Sequence, residues 1–219
     1  RNEQLAGGFS FGGRETFGLF YSNPWIYGDH VSLSSDIAKT DFQHPYLPYR
    51  LKINTIEMNI GRFFGYQRKT SIGFEIEDLN FINDSTRLNY QYFAPQGFFI
   101  YDTRDLYANP TQGILFRQAF TSRFHFKGDL SNSHTWLQSF SVYKRLSKLD
   151  NPKPWILAWG IKTQVTFGLK DQNFMAAMGE SGSVRGWMYP RNINFSDPNQ
   201  SYRFGFHNLK SSIELRKVV

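Results

Sequence analysis

Residues 155–170 alternate without a break. Trp155, Leu157, Trp159, Ile161, Thr163, Val165, Phe167 and Leu169 fall on one face. Ile156, Ala158, Gly160, Lys162, Gln164, Thr166, Gly168 and Lys170 fall on the other. A period of two is the mark of a β-strand with unlike faces. A strand of this length is far above the usual ~5–6 residues, so its apolar face needs lipid or a very large core.

The same alternation recurs along the chain. Phe116, Phe120, Phe124 and Phe126 oppose Arg117, Ala119, Thr121, Arg123 and His125. Trp136, Phe140 and Val142 oppose Thr135, Ser139 and Ser141. Ile72, Phe74 and Ile76 oppose Ser71, Gly73, Glu75 and Glu77. Leu209, Ile213 and Leu215 oppose Lys210, Ser212, Glu214 and Arg216. Less regular strands are read near 5–12, 15–22, 29–40, 50–63 and 88–103, giving about ten in hairpin order. Turn chemistry separates them, as at Asn23-Pro24, Asn83-Asp84, Asn109-Pro110-Thr111-Gln112-Gly113 and Lys127-Gly128-Asp129. With no linker, repeat or low-complexity segment, residues 1–219 read as a single domain.

Composition narrows the choice. The 22 Phe and 12 Tyr favour strands. A mean hydropathy of −0.48 is compatible with a membrane barrel, whose polar lining lowers the average. No apolar run is long enough for a transmembrane helix. There are no cysteines, which excludes disulfides and thiolate metal sites. The net charge of +7 is spread along strands rather than gathered in a run, which argues against nucleic-acid binding. Five His are scattered without metal-ligand spacing. Residues 179–182 do not form a nucleophile elbow, and no phosphate loop or dinucleotide fingerprint is present. No enzyme chemistry, cofactor or metal is expected. Two homes fit long antiparallel strands with unlike faces: a soluble sandwich, or a transmembrane barrel whose strands need about 9–11 residues.

Two segments carry a family resemblance. One is Phe99-Ile100-Tyr101-Asp102-Thr103-Arg104-Asp105 followed by the Asn109–Gly113 turn. The other is Gly182-Ser183-Val184-Arg185-Gly186-Trp187, with Ile213-Glu214-Leu215-Arg216 beyond it. In this order they resemble the barrel of the Omp85 superfamily of bacterial surface antigens, which includes the BamA insertase and the two-partner secretion transporters. Trp187 stands where the family more often has Phe or Tyr.

The resemblance implies an all-β, antiparallel transmembrane barrel in the outer membrane, with about ten strands visible of sixteen. It implies a long loop folded into the lumen. The chain is then expected to be a fragment, without the periplasmic POTRA domains and the final strands, and with a front half one hairpin short. Val184, Arg185, Gly186 and Trp187 would be the loop motif. Parity places Glu214 on the lumenal face, where it is the expected partner of Arg185. Asp102, Arg104 and Asp105 would anchor strand to turn, with Pro110 and Gly113 supplying turn geometry. Arg117, Arg123, His125, Lys162 and Lys210 would line the lumen. The Trp residues, with Tyr101, Tyr107, Tyr143, Tyr189 and Tyr202, would form interfacial girdles. The glycine-rich start, Ala6–Gly13, would pair weakly and supply a seam.

The implied work is insertion or translocation of polypeptides. Expected partners are outer-membrane lipid, unfolded client polypeptides and accessory lipoproteins, with no nucleic acid. Three alternatives stay open: the barrel anchor of a patatin-like lipase, a two-partner-type secretion pore, and a soluble secreted sandwich acting as a binding module.

Overall fold

The computed structural model describes residues 3–28, 30–43, 49–83, 87–128, 131–148, 153–168, 176–177 and 204–217. Long strands follow one another in hairpin order: β1 (Gln4–Ser10), β2 (Arg14–Tyr27), β3 (Val31–Gln43), β4 (Arg50–Phe64), β5 (Arg68–Ile82), β6 (Arg87–Asp102), β7 (Gly113–Lys127), β8 (Ser133–Arg145) and β9 (Trp155–Gly168). Two short strands follow, β10 (Ala176–Ala177) and β11 (Phe204–Gly205), which pair with each other. The last is β12 (His207–Lys217). Ten strands form one antiparallel sheet in the order β1 to β9 and then β12. The sheet is open, with β1 and β12 at its edges. No helix occurs among the described residues.

The sequence reading of about ten alternating strands holds. The structure lengthens most of them, because hydrogen-bonded pairing continues past the last clearly alternating residue. The stretch read as 70–77 belongs to a 15-residue strand, and that read as 135–143 to a 13-residue one.

The two faces are packed differently. Leu51, Leu79, Phe81, Tyr92, Ala94, Leu115, Ile156 and Ala158 are buried and share one face. Leu19, Ile37, Ile56, Ile76 and Phe93 share the other face and are each 39–50% exposed. A flat single sheet would expose both faces alike, so the crowded face is the concave side of a curled sheet. Leu51, Leu79, Phe81, Tyr92 and Ala94 form its apolar cluster, against which Phe42, Tyr49, Ile53 and Tyr90 pack.

Curling brings next-nearest strands into contact. On the concave face the Gln96 amide of β6 reaches over β5 to donate to Glu57 (2.7 Å) and Asn59 (3.1 Å) of β4. Asn59 also donates to Glu57 at 2.6 Å. Gly73 on β5 leaves room for this strap: a Cβ there would lie 2.1 Å from Asn59 Oδ1 and 2.2 Å from the Met58 carbonyl oxygen.

The rows of the convex face are ordered. Leu19, Ile37, Ile56, Ile76 and Phe93 lie side by side across β2 to β6. The two rows above, toward the end where β9 and β12 are joined, are polar apart from Phe17. They run Phe17, Lys39, Asn54, Asp78, Gln91 and then Glu15, Asp41, Lys52, Asn80, Asn89. The apolar band therefore ends abruptly. At the opposite rim, aromatic rings and cations mix: Arg68 lies 5.6 Å from the Tyr101 ring, Arg62 5.3 Å from Phe64 and Lys217 5.6 Å from Trp155. This is the composition of a membrane interface. Tyr143 is not part of that girdle. It shares the concave face with Ala158, its register partner, so parity removes it from the outer surface. Tyr189 and Tyr202 lie outside the described residues.

Gly73→Ala should destabilise the sheet by about 1–3 kcal/mol, the usual cost of overpacking. Gly97→Ala, whose Cβ would meet nothing within 4 Å, should be neutral. The temperature at which folded protein loses its fast gel mobility compares the two.

Candidate functional site on the concave wall

The turn after β6 is built from its own charges. Arg104 doubles back onto Asp102, its Nε donating to Oδ1 at 2.9 Å and its Nη2 to Oδ2 at 2.7 Å. The backbone N–H of Arg104 donates to the same Oδ1 at 3.1 Å. The Arg104 side chain is only 7% exposed, and its Nη1 donates to the Tyr107 carbonyl at 3.1 Å. A bidentate guanidinium–carboxylate pair fixes orientation as well as distance. Its role is therefore geometric, since desolvation offsets much of the attraction.

Asp105 closes the turn from the other side. Its carboxylate accepts from the N–H groups of Leu106 and Thr111, both at 2.9 Å, from Gln112 N–H at 3.3 Å and from the Thr111 hydroxyl. Partial desolvation pushes its carboxyl up, but the hydrogen bonds from Thr111, Gln112 and Leu106 outweigh it and hold the pKa below the ordinary value. Pro110 is buried within the turn. Gly113 has φ 109°, and a Cβ there would lie 2.4 Å from the Thr103 carbonyl oxygen. Glycine is required on both counts.

Register ties this turn to the far end of the chain. Gly113 is opposite Tyr143, Tyr143 opposite Ala158, and Ala158 opposite Glu214. The neighbouring row runs Asp102, Leu115, Ser141, Gly160, Ser212. Residues about a hundred positions apart in sequence thus share one patch of the concave wall. Ser141, Ala158, Gly160 and Ser212 keep that patch low, leaving a small dent of about 50 Å³ beside Glu214. The Glu214 carboxylate is held by Arg216, with Nη2 at 2.8 Å and Nε at 2.9 Å. Arg216 lies 5.9 Å from the Tyr143 ring centre. Val184, Arg185, Gly186 and Trp187 lie outside the described residues.

Charge is segregated around the wall. Asp36, Glu57 and Glu75 form one row on β3 to β5, with Glu77 close by. Arg117, Lys162 and Lys210 form a row on β7 to β12, with Ser139 between the first two. Arg123 lies 5.5 Å from the Tyr92 ring, and Tyr92 donates to Glu77 at 2.6 Å. The sequence reading placed the basic residues on this face but missed the acidic row and its Gln96 strap. The signal was present in Glu57, Glu75 and Glu77, which oppose apolar neighbours within alternating strands. What was not visible is which strands lie side by side.

The Omp85 superfamily domain matches residues 1–217. Among solved structures, BamA from Haemophilus ducreyi lacking POTRA domains 1–3 superposes with a TM-score of 0.75 at 16% identity. The match covers 92% of this chain and 44% of that one, so the chain spans less than half of its length. No curated protein matches the sequence significantly.

The lowered pKa of Asp105 sets a sign. Its contribution is present above the unfolded carboxylate value of ~3.9 and is lost as pH falls through the lower folded value. Amide protection of Thr111 and Gln112 should therefore be constant near neutrality and drop in acid. In Asp105→Asn the acid-dependent drop should vanish. Hydrogen exchange, corrected for intrinsic rates, reads both.

Proposed function

Because this chain belongs to the Omp85 superfamily, we propose that it is an integral outer-membrane β-barrel protein that inserts or translocates polypeptides. The observation that carries this reading is the wall itself. Strands of 11–16 residues, β2 to β9 and β12, cross with an apolar convex band and a polar, charged concave face. In a bilayer such a wall satisfies its backbone only through neighbouring strands, and its concave side faces water.

Three parts would do the work. The first is a lumenal loop bearing Val184, Arg185, Gly186 and Trp187, which docks in the low patch beside Glu214. Arg185 would compete with Arg216 for that carboxylate. The second is a weak first strand: β1 has seven residues, all exposed, and includes Gly7 and Gly8. It forms seven register pairs with β2, against thirteen between β3 and β4. The third is templating of client strands on a sheet edge, by the main-chain hydrogen bonding that adds a strand to any open edge. Unfolded polypeptides are the proposed clients, outer-membrane lipid the surroundings, and accessory lipoproteins the helpers. The reading needs no enzyme chemistry and no cofactor.

The full-length protein, reconstituted in liposomes, should accelerate insertion of an unfolded barrel client several-fold over empty liposomes. Gly8→Val, whose Cβ has open space, should strengthen pairing of β1 and slow insertion without lowering barrel stability. An unchanged rate would remove the weak strand from the mechanism. Arg185→Glu and Glu214→Arg should each impair insertion, and the double exchange should restore it at least in part. Failure of the exchange to restore activity would assign Arg185 to a different acid.

A further inference from the structure

The two polar rows of the convex wall are preorganised. Asp41 is bound by Arg50 through Nε at 2.6 Å and Nη2 at 3.0 Å, and by Lys52 at 3.4 Å. Its side chain is 10% exposed, while those of Arg50 and Lys52 are 50% and 41% exposed. The carboxylate thus sits at the base, and the cations keep half their surface for another partner. Lys39 is exposed in the adjacent row and has no carboxylate partner among the described residues.

One strand further on, Asp78 accepts from four amides: Asn54 (3.2 Å), Asn80 (3.3 Å), Gln91 (3.1 Å) and Asn89. Asn89 also donates to Asn80 at 3.0 Å. This is a fixed lattice of amides and one carboxylate directly above the apolar band. Such an array matches clustered hydroxyl groups. The rows cross five strands, roughly 20 Å at ~4.8 Å per strand.

One apolar hollow borders the patch and a second lies a row away from it. The first, about 510 Å³, is lined by Phe9, Phe11 and Phe17 and reaches Lys39 and Asp41. The second, about 560 Å³, lies beyond the apolar row Ile56, Ile76 and Phe93, between Met58, Ile72, Phe74, Pro95 and Phe120 on β4 to β7. Pairing of β6 with β7 is interrupted here: Phe93 is opposite Phe124 and Gln96 opposite Thr121, with no partners for Ala94 and Pro95 between them. Proline has no N–H to give to the ladder. The hollow therefore sits at a fixed defect in the wall.

The patch lies at the rim that bears the long β9–β12 connection, which in barrels of this kind faces outward. The other rim carries the aromatic–cation mixture of an ordinary interface. The two rims are thus built for unlike leaflets. We propose that the convex patch on β2 to β6 is a binding site for a phosphorylated, multiply acylated glycolipid of the outer leaflet. Lys39, Lys52 and Arg50 take phosphate, the amide lattice around Asp78 takes sugar hydroxyls, and the two hollows take acyl chains. The inference does not depend on any client-inserting activity.

The test uses the full-length protein in detergent and three probes: a bisphosphorylated glucosamine-disaccharide lipid, phosphatidylglycerol, and the deacylated disaccharide bisphosphate. Native mass spectrometry and a titration measure binding. The glycolipid should bind at least tenfold more tightly than either other probe. Lys39→Ala combined with Lys52→Ala should weaken it about tenfold, and Asn89→Ala with Gln91→Ala several-fold. Arg68→Ala at the opposite rim should leave it unchanged. Heat-modifiable mobility identifies folded variants, and Lys39→Ala alone, at an exposed position, serves if the doubles misfold. Equal affinity for phosphatidylglycerol overturns the sugar assignment, and equal affinity for the deacylated probe overturns the lipid assignment. Folded variants with undiminished binding overturn the site.

Discussion

Lateral hydrogen bonding between strands is the constraint on which everything else here rests. A backbone in lipid has no water to satisfy its N–H and C=O groups, so each strand must be bonded along its length by its neighbours. Pairing then fixes the pleat, and the pleat sends successive side chains to opposite faces. The convex band of Leu19, Ile37, Ile56, Ile76 and Phe93 and the concave acids Asp36, Glu57 and Glu75 are two readings of one ladder. Neither face could be altered by a one-residue slip without exchanging lipid-facing and water-facing groups on that strand.

Curvature adds the second level. On a flat sheet Gln96 and Glu57 would stand two strands apart. On the concave face they hydrogen-bond across Gly73. The same crowding buries Tyr92 and Ala94. Hydrogen bonds hold the acids of β4 and β5 in place: Glu57 accepts from the Gln96 and Asn59 amides and Glu77 from the Tyr92 hydroxyl. Such straps tie β4 to β6, whereas β1 at the sheet edge is short and exposed.

The motif at Asp102–Gly113 and the acid at Glu214 illustrate how a barrel assembles a site. The Asp102–Arg104 pair and the turn around Asp105 are local, made within about ten residues. Their meeting with Glu214 is not local. It depends on four strands stacking so that Gly113, Tyr143, Ala158 and Glu214 fall in line. Tyr143 marks the difference. Position near a strand end suggested an interfacial ring, while its register with Ala158 turns it inward beneath Arg216.

The sequence by itself determined the strand class, the number of long strands and the face each residue occupies, because alternation is a local property of the pleat. It also showed the turn at Asn109–Gly113 and, through parity, the side on which Glu214 stands. What only the tertiary structure decided is which residues share a row. A shift of two residues between neighbouring strands preserves every face and so leaves no trace in the alternation. The alignment of Glu214 with Gly113, the strap over Gly73 and the two polar rows above the apolar band all depend on that register. Register is set by turn lengths and by the summed fit of entire strands, which no single segment of the chain records.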